Sequence, residues 1–287
     1  MKTSAYLLAA LALINFSSCK KSGTSPSKQK GGAMYPATVT SVSTGGLPIT
    51  WTFTYDSNNN LTKYGGEGSY IVTIDPHNVV QSSFSETIDV VNTYAYSGGS
   101  NTPVDIYTTV PAQLSISTTQ KNLTTGTSVS YPGFLWAMTA GKDNTITEMT
   151  TSDNGGQTVT FSYDANDNLK TVSWINLSGD QAGKVYAALT VTSLDNHPSP
   201  FSSVKGYNVI AYTQFMYPAE FALAYCRNNP IQMIYKQLDG NGNLATSEQD
   251  DFTYAYNAQG YPTNITVKVS YPNNSTVNSK SSDFTYK

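Results

Sequence analysis

The chain has 287 residues, only 12% of them charged, and 21 of them are Tyr. Five of the 16 basic residues fall within the first 30, leaving 11 against 19 acidic ones, a formal balance of −8. A scattered acidic balance lacks the concentrated basic footprint that nucleic-acid binding requires, and the wealth of Ser, Thr, Asn and Tyr speaks for strands rather than helices.

Met1-Lys2 followed by the apolar run Ala5–Ile14 has the form of a signal peptide, too short to span a bilayer as a permanent helix. The run ends at Phe16-Ser17-Ser18-Cys19, which resembles the lipobox of bacterial lipoproteins, with Phe16 where that family usually carries Leu. The resemblance implies cleavage before Cys19 and lipidation of its thiol; the plain alternative is an ordinary signal peptide cut nearby. Residues 1–18 are therefore read as a signal peptide, and 19–32 as the lipidated Cys19 with a flexible tether that has no large apolar residue. Lys20, Lys21, Lys28 and Lys30 make this tether basic. Surface-exported lipoproteins of the Bacteroidota often carry an acidic cluster there instead, so the expected address is the outer membrane, held by the lipid anchor on its periplasmic face. With Cys19 lipidated, Cys226 has no disulfide partner in the chain and reads as a small buried apolar residue.

Residues 33–287 read as a single β domain. Trp51-Thr52-Phe53-Thr54-Tyr55-Asp56-Ser57-Asn58-Asn59-Asn60-Leu61 returns as Val159-Thr160-Phe161-Ser162-Tyr163-Asp164-Ala165-Asn166-Asp167-Asn168-Leu169. Tyr235–Leu244 keeps the turn and Phe252–Tyr261 keeps the aromatic alternation. Aromatics at alternate positions face one side of a strand. Asp starts the turn, Asn or Gly supplies its left-handed residue, and Leu61, Leu169 and Leu244 resume the buried face. Equivalent turn positions (Asp56, Asp164, Asp239, Asn257) lie 108, 75 and 18 residues apart, which suits recurring hairpins of one meander and not a regular array. Further strands are expected at 37–43, 69–74, 87–96, 112–118, 145–150, 184–193, 231–238, 263–271 and 275–286. Between Pro198 and Asn229 the rhythm breaks into a segment dense in apolar and aromatic residues with Pro198, Pro200 and Pro218. It reads as one or two short helices or an ordered loop. The expected fold is all-β and mainly antiparallel: one strongly curved meander sheet or half-barrel, with that segment packed on its concave face.

The Tyr-Asp-x-x-x-Asn-Leu hairpins, then Asp195-Asn196-His197-Pro198-Ser199-Pro200-Phe201, then Asn228-Asn229-Pro230-Ile231, occur in this order. Together they resemble uncharacterised lipoproteins of the Bacteroidota that carry a domain of unknown function and degenerate Tyr-Asp (YD-like) repeats. The resemblance runs from about Thr38 to Tyr286 and implies a porin-like or half-barrel β fold and an envelope address. It supplies no catalytic residues.

Three turns share Asp-x-Asn-x-Asn, the alternation of oxygen ligands found in calcium loops. The sixth position, which wants Gly, holds Leu61, Leu169 or Leu244. The twelfth holds Glu67, Ile175 or Asp250. Ordinary hairpin turns are the better reading; the one candidate kept for calcium is Asp239, Asn241 and Asn243 with Asp250. Gly240–Ala245 matches a dinucleotide-loop pattern without the βαβ context that gives it meaning. The only histidines, His77 and His197, stand beside a proline or turn, and no Gly-x-Ser-x-Gly elbow or zinc spacing accompanies them. No catalytic residue and no cofactor is therefore named.

The function expected from these observations is a non-catalytic envelope lipoprotein that binds a ligand or partner through the concave face or its rim. An apolar lining would point to a lipid ligand; exposed aromatics, Trp51, Trp136 and Trp174 among them, would point to a glycan. The alternatives are a structural envelope protein acting by protein contacts only, and a glycan hydrolase with two carboxylates facing each other across a cleft. A transmembrane porin is disfavoured, because the strands show no outward apolar band with aromatic girdles.

Overall fold

The computed structural model describes residues 32–66, 70–85, 87–99, 102–131, 133–214, 218–272 and 274–287. The stretch read as a signal peptide, Cys19 and nearly all of the stretch read as a tether lie outside the described residues.

Among the described residues, seventeen strands and two α-helices follow in order. The first half contains β1 (Pro36–Ser43), β2 (Ile49–Tyr55), β3 (Leu61–Gly66), β4 (Ile71–Ile74), β5 (Asn78–Phe84), β6 (Ile88–Ser97), β7 (Gln113–Asn122), β8 (Ser128–Tyr131) and β9 (Leu135–Ala140). The second contains β10 (Ile146–Thr151), β11 (Gln157–Tyr163), β12 (Leu169–Asn176), β13 (Val185–Pro198), helices α1 (Tyr207–Gln214) and α2 (Pro218–Tyr225), then β14 (Asn228–Leu238), β15 (Leu244–Tyr256), β16 (Pro262–Tyr271) and β17 (Asn274–Tyr286).

Apart from β8, each strand pairs antiparallel with the next one of the wall, and the last returns to the first: Val39 of β1 stands opposite Phe284 of β17 and, on its other side, opposite Trp51 of β2. The sheet is a closed barrel of 16 strands, which corrects the expected half-barrel. Two free edges would each expose a row of unpaired N–H and C=O groups, and pairing β1 with β17 removes both. The seventeenth strand, β8, is a flap on the wall. It pairs with the far half of β7 (Thr118–Lys121), while β9 takes the near half (Gln113–Ser115).

The recurring turn is one structure used four times. In each copy the first side chain caps the backbone two and four residues on: Asp56 Oδ1 accepts from Asn58 N (2.8 Å) and Asn60 N (2.9 Å). Asp164 and Asp239 do the same at identical distances, and Asn257 does so at 3.0 Å. The fourth residue of each copy has a positive φ: Asn59 (60°), Asp167 (59°), Gly242 (78°) and Gly260 (87°). These are the residue types that tolerate the left-handed region.

Alternation along the strands sorts the two faces. Inward stand Leu61, Val72, Ile146, Met149, Val159, Leu169, Leu189 and Met233, all with no measurable exposure. Outward stand Ser and Thr ladders, such as Thr38 with Thr285 (2.7 Å), Thr40 with Thr50 (2.9 Å) and Ser162 with Thr171 (2.6 Å), together with exposed Lys63, Lys170, Lys268 and Asp283. A transmembrane barrel is apolar outside and polar within; this wall is the inverse. No helix among the described residues is long and apolar enough to cross a membrane.

A round barrel of this strand number would enclose a channel. Here chain segments fill it from one end, the segment expected to pack on the concave face foremost. α1 and α2 with their flanks lie inside the wall, and their residues Val209, Ile210, Ala211 and Ala222 join the same core as the strands. Hydrogen bonds tie this plug to the turns of one end: Asn208 Nδ2 to Asn144 O (2.9 Å), Ser203 Oγ with Tyr261 OH (2.8 Å), and the Cys226 thiol to Leu169 O (3.9 Å). The β6–β7 connection adds Ile106 and Tyr107, whose hydroxyl donates to Leu61 O at 2.6 Å. The first described residues and Lys287 belong to this plugged end as well, with Lys287 N donating to Tyr35 O (3.0 Å).

Gly206, entering α1, has φ +66°, and a Cβ there would stand 2.3 Å from the Ile106 carbonyl oxygen. Gly206→Ala is expected to lower stability by at least about 2 kcal/mol, from a strained backbone and a clash with another backbone segment. Denaturant unfolding checks this; a loss below about 0.5 kcal/mol would mean that the plug adapts freely.

Candidate functional site

The plug does not fill the whole lumen. A cavity of about 360 Å³ remains between it and the wall formed by β16, β17, β1, β2 and β3. That size lies within the range of small-molecule pockets. On the plug side it is bounded by Phe201, Tyr207, Ala219 and Leu223. On the wall side the space exists because small inward residues face each other: Ser41 Oγ meets Ser282 Oγ at 2.8 Å, with Val39 and Val267 on either side.

Aromatic rings make up the rest of the lining, and they brace one another. Phe53 stacks on Tyr64 (centroids 5.5 Å, 13° between planes) and Trp51 leans on Tyr70 (5.1 Å). Phe201 stacks on Tyr207 (4.2 Å, 14°) and touches Phe53 (5.9 Å) and Phe284 (6.2 Å). The Tyr64 phenol is fully enclosed, and burial raises it well above its ordinary value, so it stays neutral. Towards the end opposite the plug the lining turns to Leu47, Ile49, Ser43 and Lys280. Leu47 is 87% exposed, so the cavity opens to solvent there.

The calcium candidates do not converge. Asp239, Asn241 and Asn243 form the β14–β15 turn, where backbone N–H groups of Asn243 and Asn241 already hold the Asp239 carboxylate below its usual range. Asp250 lies six residues into β15 from Leu244, about 20 Å along the strand, opposite Met233. Its side chain is completely buried in the lumen wall. No cluster of three His, Cys, Asp or Glu able to hold a metal occurs among the described residues.

Asp250 shares the inward face of β15 with Glu248, Phe252 and Tyr254, as strand alternation requires. Burial first, then the charge of Glu248, push it up to about 8, so it is neutral at pH 7. Burial raises Glu248 too. The pair was missed in the sequence, although counting back by twos from Tyr254 and Phe252 finds it. The two acids sit side by side on one strand, not across a cleft, and neither lines the cavity.

No family model and no curated protein matches the chain. Among solved structures it is similar to a porin-like protein from Bacteroides uniformis, with a TM-score of 0.43 and 12% identity, over 88% of this chain and 96% of that one. It is also similar to a porin-like protein from Bacteroides vulgatus, with a TM-score of 0.42 and 14% identity, over 89% and 99%.

The remaining residues singled out from sequence have structural surroundings. His197 stacks on Tyr256 (4.1 Å), whose hydroxyl hydrogen-bonds Asp195; Asp195 Oδ1 also accepts from His197 N at 2.8 Å. His77 Nδ1 lies 3.1 Å from Val104 O. The Cys226 thiol is buried and pushed up to about 12 by that burial. Trp136 and Trp174 pack against the core, as does Trp51, so the three do not form an exposed rim for sugar stacking.

Proposed function

We propose that this chain is a non-catalytic envelope lipoprotein, anchored through Cys19 to the periplasmic face of the outer membrane, that binds a lipid-like ligand inside its barrel. The observation that carries the reading is the cavity itself: aromatic and aliphatic walls, enclosed by the plug at one end and open at the other. An elongated apolar group entering from the open end would be stripped of water by Trp51, Phe53, Phe201 and Phe284, at about 25 cal/mol per Å² of surface buried. A polar headgroup would remain near Lys280 and the serines.

Titration of the domain, residues 32–287, with a fluorescent fatty acid tests this; those residues contain the whole closed barrel and its plug. Saturable binding is expected, accompanied by a change in tryptophan emission. Leu223→Trp, which places an indole in the cavity, is expected to weaken binding about tenfold or more while the melting temperature moves little. Absence of saturable binding, or binding that Leu223→Trp leaves unchanged, would remove the reading and favour a structural protein acting only by protein contacts.

A further inference from the structure

All the large apolar side chains that stand exposed among the described residues, save Ile231, are at the open end of the barrel. They come from turns and strand ends all round the wall. Leu47 lies between β1 and β2, Leu123 precedes the β8 flap and Tyr131 ends it, Leu135 begins β9, Leu177 follows β12, and Leu244 begins β15. Three of the four hydrogen-bonded Asp and Asn turns, those begun by Asp56, Asp164 and Asn257, stand at the plugged end, while the fourth, begun by Asp239, stands at the open end beside Leu244; the wall between carries Ser and Thr ladders.

We infer that the open end seats on a lipid bilayer, its ring of apolar side chains entering the interface and bringing the cavity mouth against the acyl layer. A protein partner would need a patch on one side; a ring on every side of one end fits a planar apolar phase. Leu47 belongs both to the ring and to the cavity lining, so the ring is continuous with the path into the lumen. The length of chain ahead of the barrel is compatible with this. The 13 residue steps from Cys19 to Gly32 reach at most about 45 Å, and β17, with 13 residues, is about 40 Å long. A lipid at Cys19 and the open end can therefore reach the same bilayer. This inference deepens the lumen-ligand reading and rests on it for its purpose: the ligand would enter from the membrane without crossing water.

The test is co-sedimentation of residues 32–287, which lack the anchor, with vesicles of phosphatidylethanolamine and phosphatidylglycerol. The domain is expected to sediment with the vesicles. Combining Leu47→Asp, Leu135→Asp, Leu177→Asp and Leu244→Asp should lower the bound fraction about tenfold or more, while Ile231→Asp leaves it unchanged. Should the combined variant misfold, the four single variants decide, each expected to reduce binding by about twofold or more. A wild-type domain that stays in the supernatant overturns the inference, as does binding indifferent to the ring substitutions. So does self-association through the same residues, seen by light scattering and not relieved by vesicles, because a second copy would then be the occupant. Fatty-acid titration of the combined variant separates the two readings. Retained fatty-acid binding with lost sedimentation supports docking through the ring. Wild-type sedimentation without fatty-acid binding removes the lumen ligand and leaves the docking surface standing.

Discussion

Asp250→Asn is expected to make the protein more stable at pH 8 and to flatten its stability against pH. Asp250 is fully buried and its folded value is pushed up to about 8 from an ordinary 3.8, by burial first and then by the charge of Glu248. Below about pH 4 the carboxyl is protonated in both folded and unfolded chains, and the burial has no electrostatic cost. Between about pH 4 and pH 8 the unfolded chain ionises while the folded chain keeps its proton, so the unfolded state binds fewer protons and stability falls as pH rises. Above the folded value both states are ionised and the whole penalty is present. Each pH unit of displacement is worth about 1.4 kcal/mol. Allowing for relaxation and water penetration, the asparagine variant should gain about 2 to 5 kcal/mol at pH 8. Melting curves of both proteins from pH 4 to pH 9 decide the matter: parallel curves would show that Asp250 is not held neutral. Glu248→Gln should shallow the wild-type slope without abolishing it, because burial is the larger cause.

Leu169→Ala should cost about 2 to 5 kcal/mol, at the upper part of the range for a fully buried leucine. Leu169 has no exposed surface, it resumes the inward face after the second Asp turn, and its carbonyl receives the Cys226 thiol of the plug. Nearby, Phe161 stacks on Tyr225 at 5.4 Å, so wall and plug cannot close over a void without losing that contact. The same change should raise the rate at which Cys226 reacts with a thiol reagent under native conditions. A variant with wild-type stability and an equally protected thiol would mean that the plug is seated by its hydrogen bonds alone.

The strands were legible in the sequence wherever aromatic and hydroxyl residues alternate. The expected 37–43, 263–271 and 275–286 match β1, β16 and β17 to within a residue at each end. Three were missed for different reasons. β5 begins Asn78-Val79-Val80 and β9 begins Leu135-Trp136-Ala137, adjacent apolar residues with no clean alternation. β8 is short and exposed along its whole length, so no buried face marks it. The plug announced itself by apolar density and by prolines that interrupt any strand. Closure could not be read, because a half-barrel and a barrel impose the same local pattern, and the decisive pairing joins residues about 250 apart. The cavity was hidden for a related reason. Trp51 was noted as an aromatic, but the space beside it depends on small residues of β1 and β17 meeting across the seam.

That seam between the first and last strands also governs how the barrel can be made. β1 is synthesised well before its final partner β17, so one edge of the growing sheet stays unsatisfied until that last strand of the barrel has been made. Folding should therefore be slow and late, dominated by a contact of very long sequence separation. During that interval the aromatic inner face and the open edge are both available to other chains, the circumstances in which strands aggregate. A truncation of only the last dozen residues should therefore leave a sticky, unclosed sheet in place of a slightly smaller barrel.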